Sequence, residues 1–214
     1  MKRVFFCACI LIGLLSSCTS DDEDYSQIDN TNFYALTVGN QWVYKNYGFN
    51  FSTQEYVDTG IIDSVSIIGT ETIDSKDYYK FRIFTSGNDD GIPLYNLNGE
   101  HFELLRDSLG YLVYDDGTIK YTKNNFSSRL LSSNDWGNVY EQLIALDHEI
   151  TVEAGTFNSS YAQRFVILEN GEQAAGMDHI YYADGYGLIY DTVSFVSQEN
   201  PMVVRRLDSY FVQN

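Results

Sequence analysis

The chain is short of cysteine, of positive charge and of histidine, and each shortage excludes something. Its 214 residues hold 3 cysteines, Cys7, Cys9 and Cys18, all near the start. Everything after Cys18 is without a thiol, so that part has no disulfide, no cysteine nucleophile and no zinc-thiolate site. Its stability has to come from burial. Lys and Arg total 13 against 30 Asp and Glu, for a net charge of −17. A surface of that sign is repelled by phosphate backbones and by anionic lipid head groups, so no nucleic-acid partner is expected. The 3 histidines, His101, His148 and His179, stand singly in strand-like surroundings. A metal site would need all of them to converge, so none is assigned, and no cofactor is expected. There is no Gly-x-Ser-x-Gly elbow, no phosphate-binding P-loop, no dinucleotide fingerprint and no His-Glu-x-x-His. The apolar run Val4 to Leu15 is too short to span a bilayer comfortably as a helix.

That run has another reading. Lys2 and Arg3 precede it, and Leu15-Ser16-Ser17-Cys18 ends it. A basic start, an apolar middle and a small-residue exit describe a secretory signal peptide, which is not part of the fold. Leu-Ser-Ser-Cys resembles the lipobox of bacterial lipoproteins. The resemblance implies that Cys18 is diacylated on sulfur, that cleavage falls just before it, and that the new amino terminus is acylated. Two or more acyl chains anchor stably where one is marginal. The acidic run Asp21-Asp22-Glu23-Asp24 resembles the export signal of surface lipoproteins of Bacteroidota. That implies an outer-membrane, surface-exposed protein, the alternative being one that faces the periplasm. By charge alone the run is a solvated tether. The expected organisation is a signal peptide over 1–17, lipidated Cys18 with an acidic tether over 18–32, and one β-rich domain over 33–214. Loss of Lys2 and Arg3 moves the net charge from −17 to −19.

From Ser52 to Phe84 the residues alternate with period two, and β-branched and aromatic residues recur throughout. Strands are expected over Gln41–Tyr47, Ile61–Ile68, Tyr78–Phe84, His101–Arg106, Gly110–Tyr114, Thr118–Thr122, Ala162–Leu168 and Met202–Val212, with a tight turn inside Ile180–Ile189. Asp115-Asp116-Gly117 reads as a hairpin turn, since Asp-Gly tolerates positive φ. Trp42 and Tyr44 share a strand face and are expected in the core. Lys123–Ser133 reads as irregular. Asn134 or Asp135 is placed to cap the one expected helix, through Val139–Leu146. The fold class is all-β: an antiparallel meander of roughly a dozen strands forming a curved sheet, an open barrel or a sandwich, with at most one short helix.

Three stretches, Gly39-Asn40-Gln41-Trp42-Val43-Tyr44, Val152-Glu153-Ala154-Gly155-Thr156-Phe157 and Tyr182-Ala183-Asp184-Gly185-Tyr186-Gly187-Leu188-Ile189, resemble in order a pattern of uncharacterised secreted bacterial β-proteins. Glu153 stands where proline is usual, and Tyr186 where valine is. The resemblance implies a curved antiparallel sheet and no established chemistry.

Signals for catalysis are weak. Asp147-His148-Glu149 places acids beside a base, but neighbours on a strand point to opposite faces and form no relay. With 30 acids, no particular carboxylate pair stands out as a glycosidase couple. Ser86–Gly91 is rich in oxygen donors, yet it lacks the spacing of a calcium loop and reads as a turn. Asp63-Ser64-Val65, Asp107-Ser108-Leu109 and Asp191-Thr192-Val193 resemble a short O-glycosylation motif of Bacteroidota secreted proteins. The 18 tyrosines suit half-exposed sheets and also sugar or protein contacts. The leading expectation is a non-enzymatic envelope lipoprotein, structural or binding, with membrane contact through Cys18 and a glycan, protein or lipid ligand. The alternatives are a carrier of an apolar, acyl-type ligand in a half-barrel and a glycan or peptide hydrolase. The carrier requires a pocket of Phe, Leu and Ile with few charges.

Overall fold

The computed structural model describes residues 32–213. The signal peptide, Cys18 and the tether up to residue 31 lie outside them. The described residues form twelve antiparallel strands in one open sheet, ordered β6-β5-β4-β3-β2-β1-β12-β11-β10-β9-β8-β7. They are β1 (Gln41–Asn50), β2 (Glu55–Ile73), β3 (Lys76–Ser86), β4 (Gly99–Ser108), β5 (Tyr111–Tyr114), β6 (Ile119–Thr122), β7 (Arg129–Asn134), β8 (Gly137–Val152), β9 (Gly155–Leu168), β10 (Gln173–Ala183), β11 (Gly187–Val193) and β12 (Val203–Phe211). Two meanders, β1 to β6 and β7 to β12, meet where β1 pairs with β12.

The turns follow from local chemistry. Gly117, at φ 87°, carries the Asp-Gly bend from β5 to β6, and its N–H donates to Tyr114 O. Gly187, at φ 82°, lets β11 leave its turn beside the Trp42 ring.

The expected helix is absent. Val139–Leu146 is the middle of β8, a 16-residue strand. It pairs with β9 along its length and with β7 through Leu130↔Tyr140 and Arg129↔Glu141. Two hydrogen-bonded ladders outweigh the modest helix preference of Glu141, Gln142, Leu143 and Ala145. Asn134 ends β7 opposite Gly137, so Asp135 and Trp136 form a hairpin turn, not a cap. The stretch read as irregular also holds β7 at its end.

The sheet bends back over itself. Strands β6 and β9 are nine places apart, which in a flat sheet is about 43 Å at ~4.8 Å per strand. Yet the Tyr121 hydroxyl on β6 lies 2.8 Å from Ser160 Oγ on β9. The Tyr121 and Tyr182 ring centroids are 4.3 Å apart. The two ends meet through a side chain, with Arg129 Nη1 on β7 donating to Ile119 O on β6 at 2.9 Å. No ladder joins β6 to β7, so the sheet stays open.

The core fills this bend. Trp42, Tyr44, Ile67, Leu105, Leu112, Tyr121, Leu143, Tyr182, Ile189 and Leu207 are all buried there. Each such side chain taken from water contributes on the order of 2 kcal/mol. Their polar ends are satisfied: Trp42 Nε1 donates to Tyr186 O and the Tyr44 hydroxyl to Leu188 O. The segment ahead of β1 is a plug. Phe33, Tyr34, Ala35 and Leu36 are buried, and Tyr34 lies edge-on to both Tyr121 and Tyr182 while donating to Gly110 O.

Candidate functional site

The inward face of a strand is every second residue. On β1 the inward set is Trp42, Tyr44 and Asn46; on β2 it includes Asp63, Val65 and Ile67; on β3, Phe81, Ile83 and Thr85. On β4 it is His101, Glu103 and Leu105. On β12 it is Val203, Arg205 and Leu207, and on β11 it includes Asp191 and Val193. Trp42, Ile67, Phe81, Leu105 and Leu207 make one end of the bend apolar, and Asn46, Asp63, His101, Asp191 and Arg205 gather toward the other. The polar end is a cleft of about 400 Å³ lined by Asn46, Asp63, His101, Glu103, Lys120, Asp191 and Arg205, with Ile83, Val193 and Val203 between them. A smaller apolar recess of about 70 Å³ adjoins it, walled by Trp42, Tyr44, Phe81, Leu105 and Leu112.

Two of the three carboxylates in the cleft are paired with its two cations. Arg205 grips Asp191 with two parallel bonds, Nε to Oδ1 at 2.8 Å and Nη2 to Oδ2 at 2.7 Å. The Arg205 guanidinium lies 5.2 Å from the Tyr44 ring centroid, a cation–π contact. Burial opposes the charge on Arg205, but Asp191 and Asp63 outweigh it and push its pKa up. Lys120 Nζ donates to Glu103 Oε2 at 2.6 Å. Its pKa is also raised, because Glu103 and Tyr114 overcome the desolvation that would lower it. Asp63 accepts from the Thr85 hydroxyl at 2.5 Å, from Asn46 at 3.0 Å and from Asn96 at 3.4 Å. Each carboxylate here serves as a hydrogen-bond acceptor in a fixed frame.

A loop, residues 87–98, folds over the mouth. Asn88 organises it from a buried position: its amide donates to Asn96 O and its carbonyl accepts from Ile92 N–H. Tyr95 from this loop reaches β1, where a Cβ on Gly48 would sit 3.1 Å from its hydroxyl. The oxygen-rich stretch Ser86–Gly91 is thus the base of the covering loop. Among the described residues no three His, Cys, Asp or Glu side chains are grouped to hold a metal ion.

Of the histidines, His101 lines the cleft with Nε2 2.7 Å from Leu97 O. The other two lie on the opposite face, both against Tyr161. His179 Nδ1 is 2.7 Å from the Tyr161 hydroxyl, and the His148 ring is 5.3 Å from the Tyr161 ring. Burial lowers the His179 pKa. Asp147 and Glu149 are exposed beside His148 and take no part in this cluster. Of the glycosylation triplets, Thr192 is buried with its hydroxyl accepting from His179 N–H, so the folded protein hides it. Ser64 is exposed and Ser108 half-buried.

Sequence reading missed Asn46, Asp63, Asp191 and Arg205 as a group. A usable signal was there, because each occupies an inward-facing parity position in an otherwise apolar or aromatic run.

No protein-family model and no curated protein matches the sequence. Two solved structures share the fold. One is a candidate lipoprotein from Parabacteroides distasonis, at 15% identity and a TM-score of 0.53. The other is a candidate exported protein with a YmcC-like fold from Bacteroides fragilis, at 10% identity and a TM-score of 0.52. Each alignment covers 85% of this chain and 99% of the other.

Proposed function

We propose that this chain is a non-enzymatic binding lipoprotein of the cell envelope. It is cut before Cys18, held in the outer membrane by acyl chains on that residue, and displayed at the surface on the tether over 18–32. Its described domain binds a ligand in the cleft inside the bend. The observation that carries the reading is the cleft of about 400 Å³ whose two cations, Lys120 and Arg205, each already hold a carboxylate. That volume lies in the range of small-molecule sites. A hydrolase would need two carboxylates, or a histidine and an acid, facing each other across an open gap. Here Glu103 and Asp191 each hold a cation instead. An acyl carrier would need a lining with few charges, whereas five ionised side chains line this one.

The test is native mass spectrometry of the chain from Thr19 to Asn214, made in its own host and secreted without the anchor. A bound small-molecule mass is expected, absent from the Asn96→Trp variant, in which an indole on the exposed covering loop blocks the mouth. Finding each form only at its own bare protein mass would sink the binding reading.

A further inference from the structure

Resting on that binding reading, we propose that the cleft takes a neutral saccharide of one or two rings. The formal charges that line the cavity are three carboxylates, Asp63, Glu103 and Asp191, and two cations, Lys120 and Arg205. Both cations already hold a carboxylate at 2.6–2.7 Å. An anionic ligand would compete with carboxylates that the backbone holds in place, beside a site with one negative charge in excess. A cationic ligand would be drawn mainly to Asp63, but that carboxylate already accepts from Thr85, Asn46 and Asn96. An acyl chain would strip water from all five ionised groups with nothing in return.

A hydroxyl group faces none of these penalties, because it both donates and accepts. The cleft offers both halves of that exchange side by side. Lys120 spends one N–H on Glu103 Oε2 and leaves Glu103 Oε1 without a bond among the described residues. Arg205 Nη1 stands 3.9 Å from Asp63, beyond hydrogen-bond reach, and has no closer partner among the described residues. The lining holds both charged donors and charged acceptors, and charge-assisted bonds from such groups are the stronger kind. Between them lie the apolar surfaces of Ile83, Val193 and Val203 and the ring of Tyr95. A pyranose presents the same mixture, with hydroxyls at its rim and C–H groups on its faces. The cavity, at about 400 Å³, also lies in the size range of small-molecule sites.

The experiment is a titration of the chain from Thr19 to Asn214, isotope-labelled, followed by amide and side-chain NMR shifts. The probes are galactose, N-acetylglucosamine, lactose and cellobiose as neutral saccharides, galacturonate as an anion, glucosamine as a cation, and laurate as an acyl chain. The expected result is saturable binding of a neutral saccharide, with shifts confined to Asn46, Asn96, Arg205 and the loop over 87–98. Its affinity should change less than twofold when salt is raised tenfold, since a neutral ligand releases no counterions. Tyr95→Ala should weaken binding at least tenfold by removing the ring. Tyr95→Phe should leave it unchanged, because the hydroxyl makes no hydrogen bond among the described residues. Saturation by galacturonate, glucosamine or laurate alone would overturn the saccharide assignment while upholding the cleft as a binding site. Shifts outside the cleft, or no response to any probe together with a bare native mass, would overturn both.

Discussion

Asp178 is the test case for how burial governs stability in this sheet. It sits on β10 opposite Arg164 of β9, beside a cavity of about 160 Å³ lined by Trp136, Phe165, Gly176 and Phe195. Its Oδ1 is buried with no hydrogen-bond partner among the described residues. The nearby Ser194 hydroxyl donates to Met177 O at 2.8 Å and Arg164 Nη2 to Glu141 at 2.9 Å, so Ser194 and Arg164 only partly offset the burial of Asp178. Desolvation therefore dominates and raises the carboxyl from 3.8 to about 6. Because the folded state holds this proton more tightly than the unfolded one, the stabilisation is fully present below pH 3.8 and is lost as pH rises through about 6. A gap of about 2.2 pH units at ~1.36 kcal/mol each makes ionised Asp178 cost the fold about 3 kcal/mol. Roughly 2 kcal/mol of that should develop between about pH 4.5 and about pH 7.5. Asp178→Asn keeps the shape and cannot ionise. Urea unfolding of both proteins, followed by fluorescence of Trp42 and Trp136, should find the variant gaining on the wild type by about 2 kcal/mol across that interval. A difference between the two that stays flat with pH would refute the assignment of desolvation as the cause.

Two further outcomes follow from the ionised frame and the amino terminus. Arg205→Met should cost about 3–5 kcal/mol in urea unfolding, since it leaves Asp191 and Asp63 without their cation, and Arg205→Lys should recover only part of it because an ammonium cannot make the paired bonds to Asp191. Cys18→Ala in the intact chain should abolish metabolic labelling by an alkyne fatty acid and move the protein from the membrane to the soluble fraction; labelling that persists in the variant would refute acylation at Cys18.

The fold was legible because β-sheet periodicity is local. The parity of Trp42 and Tyr44, the Asp116-Gly117 bend and the strand runs of β1 to β6 are all written in neighbouring residues, and the structure agrees with them. The Val139–Leu146 segment failed for the complementary reason. Its residues form helices readily, and what makes them a strand is a pair of partners, β7 and β9, whose contribution no local window contains. The bend of the sheet was equally hidden, since it is set by meetings such as Tyr121 with Ser160, 39 residues apart.

The site was not legible in the sequence, and the reason also explains why this sheet has a cleft at all. An acid or amide at an inward position is unfavourable when the strand is taken alone, because burying it unpaired costs about 1–3 kcal/mol. Asn46, Asp63, Asp191 and Arg205 each look like such an error in their own strand. They become acceptable only together, when β1, β2, β12 and β11 lie side by side and place Tyr44 opposite Asp63, and Asp191 opposite Arg205. The apolar end of the bend could have been continued by leucine and valine at those same positions, which would have packed the interior shut. Four polar positions on four adjacent strands keep it open instead, and the loop over 87–98 closes its mouth with a hydrogen bond to the same Asp63. A protein that needed only to be stable had a simpler solution available at every one of those positions, and a polar set of this kind is what the proposed binding site requires.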